Sequence, residues 1–519
     1  MAPEMVREIR QMVTLRAGIS DALDRLIARL TGERSERAVL WVLAAYWAVW
    51  SLYGIIAKSS QDIHFDMGEA VVWSHESMSG TPKHPPLSAW LVRGWFSVFP
   101  QADWAYHVFA ILLATVALFA AWKVSARFLS GEKRVAGLAL LMLVPFFNFH
   151  ALKYNANAVM IPLWALATWA FVVSFESRKT LPAALAGVAA AAAMLGKYWS
   201  IFLLLGLGVA ALMHPSRKAY FRSAAPWITI AVGALALAPH VVWLFNNSAT
   251  FAYALESHPG TYWTSLRSGG SYIAGTLGYF VLPAIVAFLA TMPSRTALSD
   301  TAWPQDPDRR LALIAFTLPI VLPVFAAVIT KSLIVPLWSI GGAVLLGAVL
   351  LSSPQLALPH LMTRRIVAIA IAVPAVALLS SPVVALMTHQ RGLDNHAGHY
   401  RMVAQAVGAA WRSATDRPLK ILGSYDNLLY GSSFYMNPPP RTFEIVSPLR
   451  ATPWTTEADV TRDGIAMVCP ASDAVCMNAL NARASKAANA KRTEVELARQ
   501  WLGMRGKAER FVIVALPPA

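Results

Sequence analysis

Apolar runs of about 17 to 25 residues, each long enough to cross a bilayer as a helix, recur through most of the chain. Nothing else in the sequence constrains the fold as strongly. The runs do not alternate polar and apolar residues, as barrel strands would. Hydrophobic residues make up 56% of the 519 and charged residues only 14%, where a soluble domain is about a quarter charged. The sequence therefore predicts an all-α polytopic membrane protein with about eleven transmembrane helices. They lie near 39–57, 105–128, 135–151, 158–175, 181–195, 199–213, 225–244, 271–291, 312–329, 333–352 and 366–388. The fifth and sixth are short and separated only by Gly196-Lys197-Tyr198; one broken span is the alternative. The Ala-rich run from Ala183 to Ala193 suits close helix packing.

Charge placement orients the helices. The net charge of +16 would suggest nucleic acid in a soluble protein. Here it reads as cytoplasmic loops that meet anionic lipid headgroups, and no nucleic-acid motif competes. With the N-terminus in the cytoplasm, the inner loops hold Lys133 and Arg134, Arg178 and Lys179, Arg217, Lys218 and Arg222, Arg295, Arg309 and Arg310, and Arg364 and Arg365. Single cations remain outside. An odd number of spans places the C-terminus outside. No cleavable signal peptide is expected. Residues 1–37 carry apolar positions at helical spacing, from Ile9 to Leu30. They read as a cytoplasmic amphipathic segment on the membrane, with a mobile polar tail as the alternative.

Three regions follow: the segment 1–37, a transmembrane domain over 38–388 with a long outer loop at 58–104, and a soluble α/β domain over 389–519. In the last, Lys420–Gly423 and Arg510–Val514 read as strands and Thr493 to Trp501 as helical. The two cysteines, Cys469 and Cys476, exclude a zinc ribbon or iron–sulfur centre. Pairing them and leaving them as free thiols are equally compatible with the sequence.

The outer loop carries the chemistry. Two amphipathic helices are expected in it, Gly68 to Met78 and Pro86 to Phe99, lying along the membrane surface. Asp66 and Glu69 stand where the first begins. Such acids often only balance a helix dipole. Against that reading, they sit at the membrane boundary, and the same loop returns with Lys83-His84-Pro85-Pro86. Asp and Glu three residues apart share a helix face.

The pattern Asp-x-x-Glu, a spacer, then His-Pro-Pro-Leu-x-x-Trp-Leu resembles the first outer loop of the GT-C glycosyltransferases. The similarity is to the glycosyltransferase family 39-like group, which includes bacterial protein O-mannosyltransferases and lipid A aminoarabinose transferases. It continues through Lys153-Tyr154-Asn155-Ala156-Asn157, Gly196-Lys197-Tyr198-Trp199 and Pro239-His240-Val241-Val242-Trp243-Leu244, over roughly the first 350 residues. The resemblance implies a GT-C fold in a bacterial inner membrane. It implies transfer of a sugar, with inversion, from a polyprenyl-phosphate donor to a lipid, glycan or protein acceptor on the periplasmic face. It makes Asp66 the base, supported by Glu69. Such transfer needs a carboxylate to take the acceptor proton and cations to meet the departing phosphate.

The chain departs from the family pattern in two places. Met67 and Gly68 separate acids that are usually adjacent, and Lys83 replaces an acid that in some relatives helps hold a divalent metal. A divalent metal therefore stays open, and Lys83 and His84 become phosphate-side candidates. His84 has a structural alternative as a hydrogen-bonded histidine. Lys153, Lys197 and Lys331 end helices on the outer side, with Tyr154, Tyr198 and Ser332 beside them. They read either as snorkelling lysines or as a shared anion pocket. Arg267 is a further phosphate candidate and His258 a further candidate in the same loop. His240 and Trp243 are candidate substrate-lining residues, with interfacial anchoring as the alternative, and Tyr253 and Trp263 are candidates for sugar stacking. No Gly-rich nucleotide loop occurs, which suits a lipid-linked donor. A transporter or flippase of lipid-linked sugars is the competing reading, but no repeat relates the halves and the acids gather at one membrane face. A silent scaffold is a third reading, disfavoured by an intact Asp66.

Overall fold

The computed structural model describes residues 2–76, 79–247, 250, 253, 257–393, 395–447, 452–487 and 489–518, with side chains from residue 17 onward. The N-terminal stretch is one helix, α1 (Ala2–Thr31), whose Ile27 and Leu30 are buried. Its Asp24 contacts His360 and Arg364. The segment is therefore helical and packed on the bundle rather than a loose tail.

The bundle follows in chain order. Helix α2 (Ser35–Ala57) leads into two short helices, α3 (Phe65–His75) and α4 (Leu87–Phe96). Next come α5 (Asp103–Ser125), α6 (Gly131–Met142), α7 (Met160–Ser177), α8 (Thr180–Gly196), α9 (Ile201–Met213) and the short α10 (Arg217–Arg222). The set closes with α11 (Ala225–Phe245), α12 (Tyr262–Thr291), α13 (Arg295–Ala302), α14 (Pro307–Thr330), α15 (Leu346–Leu351) and α16 (His360–Arg391). A 3₁₀ segment, Pro336–Leu345, feeds α15.

Seven of these helices are long and apolar enough to span a membrane: α2, α5, α7, α11, α12, α14 and α16. Shorter apolar helices cover 180–196, 198–213 and 336–351, and α6 covers the first half of the third expected span, which goes on through a 3₁₀ turn at Pro145–Phe147. Each expected membrane segment thus has a helical counterpart. Leu235, Phe245, Ile329 and Leu379 are between 74% and 84% exposed. A girdle of such side chains is tolerable against lipid and not against water. The Ala-rich face of α8 meets α11 closely: a Cβ on Gly187 would lie 2.6 Å from the Thr229 carbonyl oxygen, and Thr229 Oγ1 donates to the Ala183 carbonyl at 2.9 Å.

Beyond α16 the chain builds a small sheet domain. Its helices are α17 (Tyr400–Ala414), α18 (Asp426–Ser433), α19 (Glu457–Asp463) and α20 (Ala474–Ala484). Its strands are β1 (Ile421–Ser424), β2 (Arg441–Glu444), β3 (Ile465–Pro470), β4 (Lys491–Trp501) and β5 (Met504–Leu516), in the order β2-β1-β3-β5-β4. β1 runs parallel to β2 and β3, and β5 antiparallel to β3 and β4. The stretch Thr493 to Trp501, expected as helix, is strand. Glu494 and Glu496 point to solvent while Thr493, Val495 and Leu497 are partly covered, a period of two that pairing with β5 enforces. Cys469 and Cys476 are joined as a disulfide, with Cα atoms 5.7 Å apart.

The sheet domain docks on the bundle at the start of α5, where Arg401 Nη2 meets Asp103 Oδ2 at 2.9 Å, and at two further places. Helix α18 lies against α3, and the β4–β5 hairpin reaches the ends of α2 and α16. There Arg499 Nη1 meets Asp62 Oδ1 at 2.6 Å, Trp501 Nε1 donates to Ser59 Oγ at 3.2 Å, and His389 Nε2 lies 3.0 Å from the Met504 carbonyl oxygen. This corrects the expectation for the first loop helix. Every residue from Met67 to Ser74 is buried, so α3 lacks the open side of an amphipathic helix. It is an interior helix between bundle and sheet domain.

Candidate active site

Helix α3 begins at His64, whose Nδ1 accepts the Asp66 backbone N–H at 3.2 Å. That cap places Asp66 in the first turn and Glu69 one turn on, along one face. Asp66 Oδ2 accepts from Lys153 Nζ at 2.9 Å and from Asn155 Nδ2 at 2.9 Å. Its Oδ1 has no hydrogen bond among the described residues, and His64 Nδ1 is 3.8 Å away. Burial alone would raise the Asp66 pKa, but Lys153, His64 and the Asn155 hydrogen bond outweigh it and hold it below the ordinary aspartate value. Asp66 is thus a fixed carboxylate with one oxygen committed and one available.

Glu69 is deeper. It accepts from Lys83 Nζ, which also lies 3.4 Å from Asp426 Oδ2. The three side chains are between 5% and 8% exposed. Burial pushes Glu69 up to about 7, against the pull of Lys83 and with added repulsion from Asp66. Burial also opposes the Lys83 charge, but Glu69, Tyr430 and Asp426 outweigh it and the ammonium is retained. His84 lies edge-on to Trp73 and Tyr253. Burial, then Lys197 and Lys83, push its pKa down to about 3, so the imidazole is neutral.

Asp66, Glu69, Lys83, His84, Asn155 and Asp426 line a cavity of about 690 Å³, and Lys153 stands behind Asp66 outside its lining. Its opposite wall comes from the break between α8 and α9. Lys197 stands in extended backbone outside both helices, donates to Asn157 Oδ1 and lies 4.8 Å above the Trp338 ring. Burial lowers its pKa to about 7, partly offset by Asp66. Among the described residues, no carboxylate contacts Lys197. Tyr198, Tyr253, His258 and Trp338 complete this side, and Asn427 joins Asp426 from the sheet domain.

Several sequence candidates lie elsewhere. Tyr154 is fully buried in the core, its hydroxyl donating to the Ser88 carbonyl at 2.6 Å; it does not line the cavity. His240 is a tether, with Nδ1 2.6 Å from the Ser79 carbonyl oxygen and Nε2 2.8 Å from the Tyr198 hydroxyl. Trp243 packs on Gly80, where a Cβ would lie 2.2 Å from the indole, so it seats the loop rather than a sugar. Arg267 and Trp263 are exposed on α12. Lys331 is exposed as well. It caps α14 in the left-handed region, at φ 53°, and its carbonyl accepts the Gly260 N–H at 2.7 Å, shaping the rim with its backbone alone. Of the cationic candidates, Lys83, Lys153 and Lys197 converge near Asp66.

Sequence reasoning missed Asp426 and Asn427, which no local pattern marks. It also left Asn155 and Asn157 without roles, although they stand in the quoted Lys153–Asn157 motif and hold Asp66 and Lys197. Among the described residues, no group of three or more His, Cys, Asp or Glu is arranged to hold a metal ion. The Lys83 ammonium occupies the place between Glu69 and Asp426 that a bridging cation would need. The donor set does not fit a divalent metal.

The sequence model of the dolichyl-phosphate-mannose-protein mannosyltransferase family matches residues 83–243. A lipid A galacturonosyltransferase, RgtD of Rhizobium johnstonii, is 22% identical over 264 residues, 50% of this chain and 54% of the relative. The chain thus spans about half the length of that curated relative. Solved structures of ArnT from Cupriavidus metallidurans cover 92% of this chain and 97% of their own. The one bound to undecaprenyl phosphate has a TM-score of 0.58 at 13% identity, and the apo form 0.60 at 11%. At those identities the likeness establishes the fold alone, a helical membrane bundle of GT-C type with a small sheet domain.

Proposed function

We propose that the protein transfers a sugar from a polyprenyl-phosphate carrier to an acceptor hydroxyl on lipid A or a similar envelope glycan, at the periplasmic face of a bacterial inner membrane. The observation that carries this reading is the pairing, in one cavity, of a fixed carboxylate with a free oxygen and a half-buried lysine that has no carboxylate partner among the described residues. The undecaprenyl phosphate bound by ArnT supports a polyprenyl-phosphate carrier, and the lipid A specificity of RgtD supports the acceptor class.

Asp66 Oδ1 takes the acceptor proton as the acceptor oxygen bonds to the anomeric carbon. The bond from that carbon to the phosphate oxygen breaks on the opposite face, so configuration inverts. The carrier leaves as polyprenyl phosphate, and Lys197 meets its charge. Lys153 and Asn155 keep Asp66 ionised and oriented. Glu69, Lys83 and Asp426 form a buried acid–lysine–acid core that fixes α3. Trp338, Tyr253 and His258 offer the sugar its walls.

The test is reconstitution of the purified protein with undecaprenyl-phosphate sugars and lipid A, read by mass spectrometry of the acceptor. Mass gain by one sugar in the native protein and none in Asp66→Asn is expected. Equal transfer by both would remove the base assignment. No transfer by the native protein from any carrier-linked sugar would remove the enzyme reading.

A further inference from the structure

We propose a second binding site, for the phosphate of an anionic lipid headgroup, in the cavity between the C-terminal end of α16 and the β4–β5 hairpin. This cavity of about 550 Å³ shares no lining residue with the candidate active site. His389, His396, His399, Arg499, Lys507 and Arg510 face it, and Glu509 is the only acid among its lining residues.

The charges inside are unevenly satisfied. Arg499 is held by Asp62 at 2.6 Å, and Glu509 Oε2 lies 2.7 Å from His396 Nδ1. The Lys507 and Arg510 side chains make no ion pair or hydrogen bond among the described residues. His399 is 8% exposed and its Nε2 lies 3.2 Å from the Lys507 carbonyl oxygen. Its Nδ1 is buried, 3.4 Å from Glu509 Oε2, without hydrogen-bond alignment. Nε2 carries the His399 proton toward the Lys507 carbonyl, so Nδ1 is no donor to an anion; the two unpaired cations, Lys507 and Arg510, are what the cavity offers to one.

Location selects the source of that anion. The floor is the last turn of α16, at Thr388 and His389, and Ser60 just beyond α2. Both helices are candidate membrane spans. On α16 the exposed Leu379, Val383 and Met387 form a lipid-facing stripe that ends beside Thr388. At the hairpin tip Leu502 is 80% exposed, next to Trp501, which is bonded to Ser59. The cavity therefore opens at headgroup depth, where a phosphate is presented by lipid.

Native mass spectrometry of the full-length protein, titrated with phosphatidylglycerol and with phosphatidylcholine, tests this. One phosphatidylglycerol is expected to be retained with about tenfold preference, a difference readily resolved as affinity. The Lys507→Ala/Arg510→Ala double variant should lose that preference while keeping its thermal midpoint. Glu509→Gln, which removes the acid, should bind phosphatidylglycerol more tightly. Equal retention of the two lipids, or native-like retention by the double variant, would overturn the site. Binding of inorganic phosphate without retention of phosphatidylglycerol would overturn the lipid assignment. None of these readouts depends on sugar transfer.

Discussion

Asp66 and Glu69 lie one turn apart, yet their surroundings push them in opposite directions. Asp66 stays ionised against two donors, whereas Glu69, buried, titrates near 7. Asp66→Asn keeps the shape and removes the base; a loss of about 10³-fold in turnover is expected, measured as sugar added to acceptor per unit time. The pH profile of kcat/KM follows from the signs. Glu69 ionises as pH rises through about 7, and Lys197 loses its proton over the same range. Ionised Glu69 and charged Lys197 are both needed, so activity peaks near neutrality and falls on either side. Glu69→Gln should lower activity across the whole range and leave no acid limb, and Lys197→Arg should remove the alkaline one. His84→Gln should leave both limbs in place, because His84 is neutral throughout. Lys83→Met should be costly in a different way. It leaves Glu69 and Asp426 buried without their cation, a loss of about 3–5 kcal/mol that a fall in thermal midpoint would report.

Helix α3 explains a feature of its own sequence. A Cβ on Gly68 would lie 2.3 Å from the Tyr430 carbonyl oxygen, so one of the two residues that separate the acids is the one that lets α3 touch α18. Gly68→Val is expected to push the two helices apart at a cost of about 1–3 kcal/mol. It should weaken transfer while the bundle inserts normally, as activity and protease resistance of the membrane fraction would show. The spans were legible in the sequence because membrane helices carry their signal within a single run of residues. The acids of α3 were legible too, through their spacing and the returning Lys83-His84. Its burial was not. An interior helix and a surface-lying one share the same apolar pattern, and only the sheet domain, folded from distant residues, decides between them. Asp426 was illegible for the same reason: nothing near it in sequence marks a contact 343 residues away. Thr493 to Trp501 shows the converse error, since glutamates and alanine in that stretch favour a helix locally and pairing with β5 overrides them.

Across the whole molecule, the bundle supplies Asp66, Lys153 and Lys197, and the sheet domain closes the site with Asp426 and Asn427. A chain ended after Gly392 should therefore insert in membranes yet fail to transfer sugar, and a mass-spectrometric acceptor assay on such membranes checks it. The same division has a temporal meaning. Lys83 is made early and its second carboxylate partner more than three hundred residues later. A growing chain holds a base and a cation long before it holds a finished cavity. On the proposed function the chain is in effect silent while it is being synthesised, and it becomes competent only when its last-made part settles onto a helix made near its start.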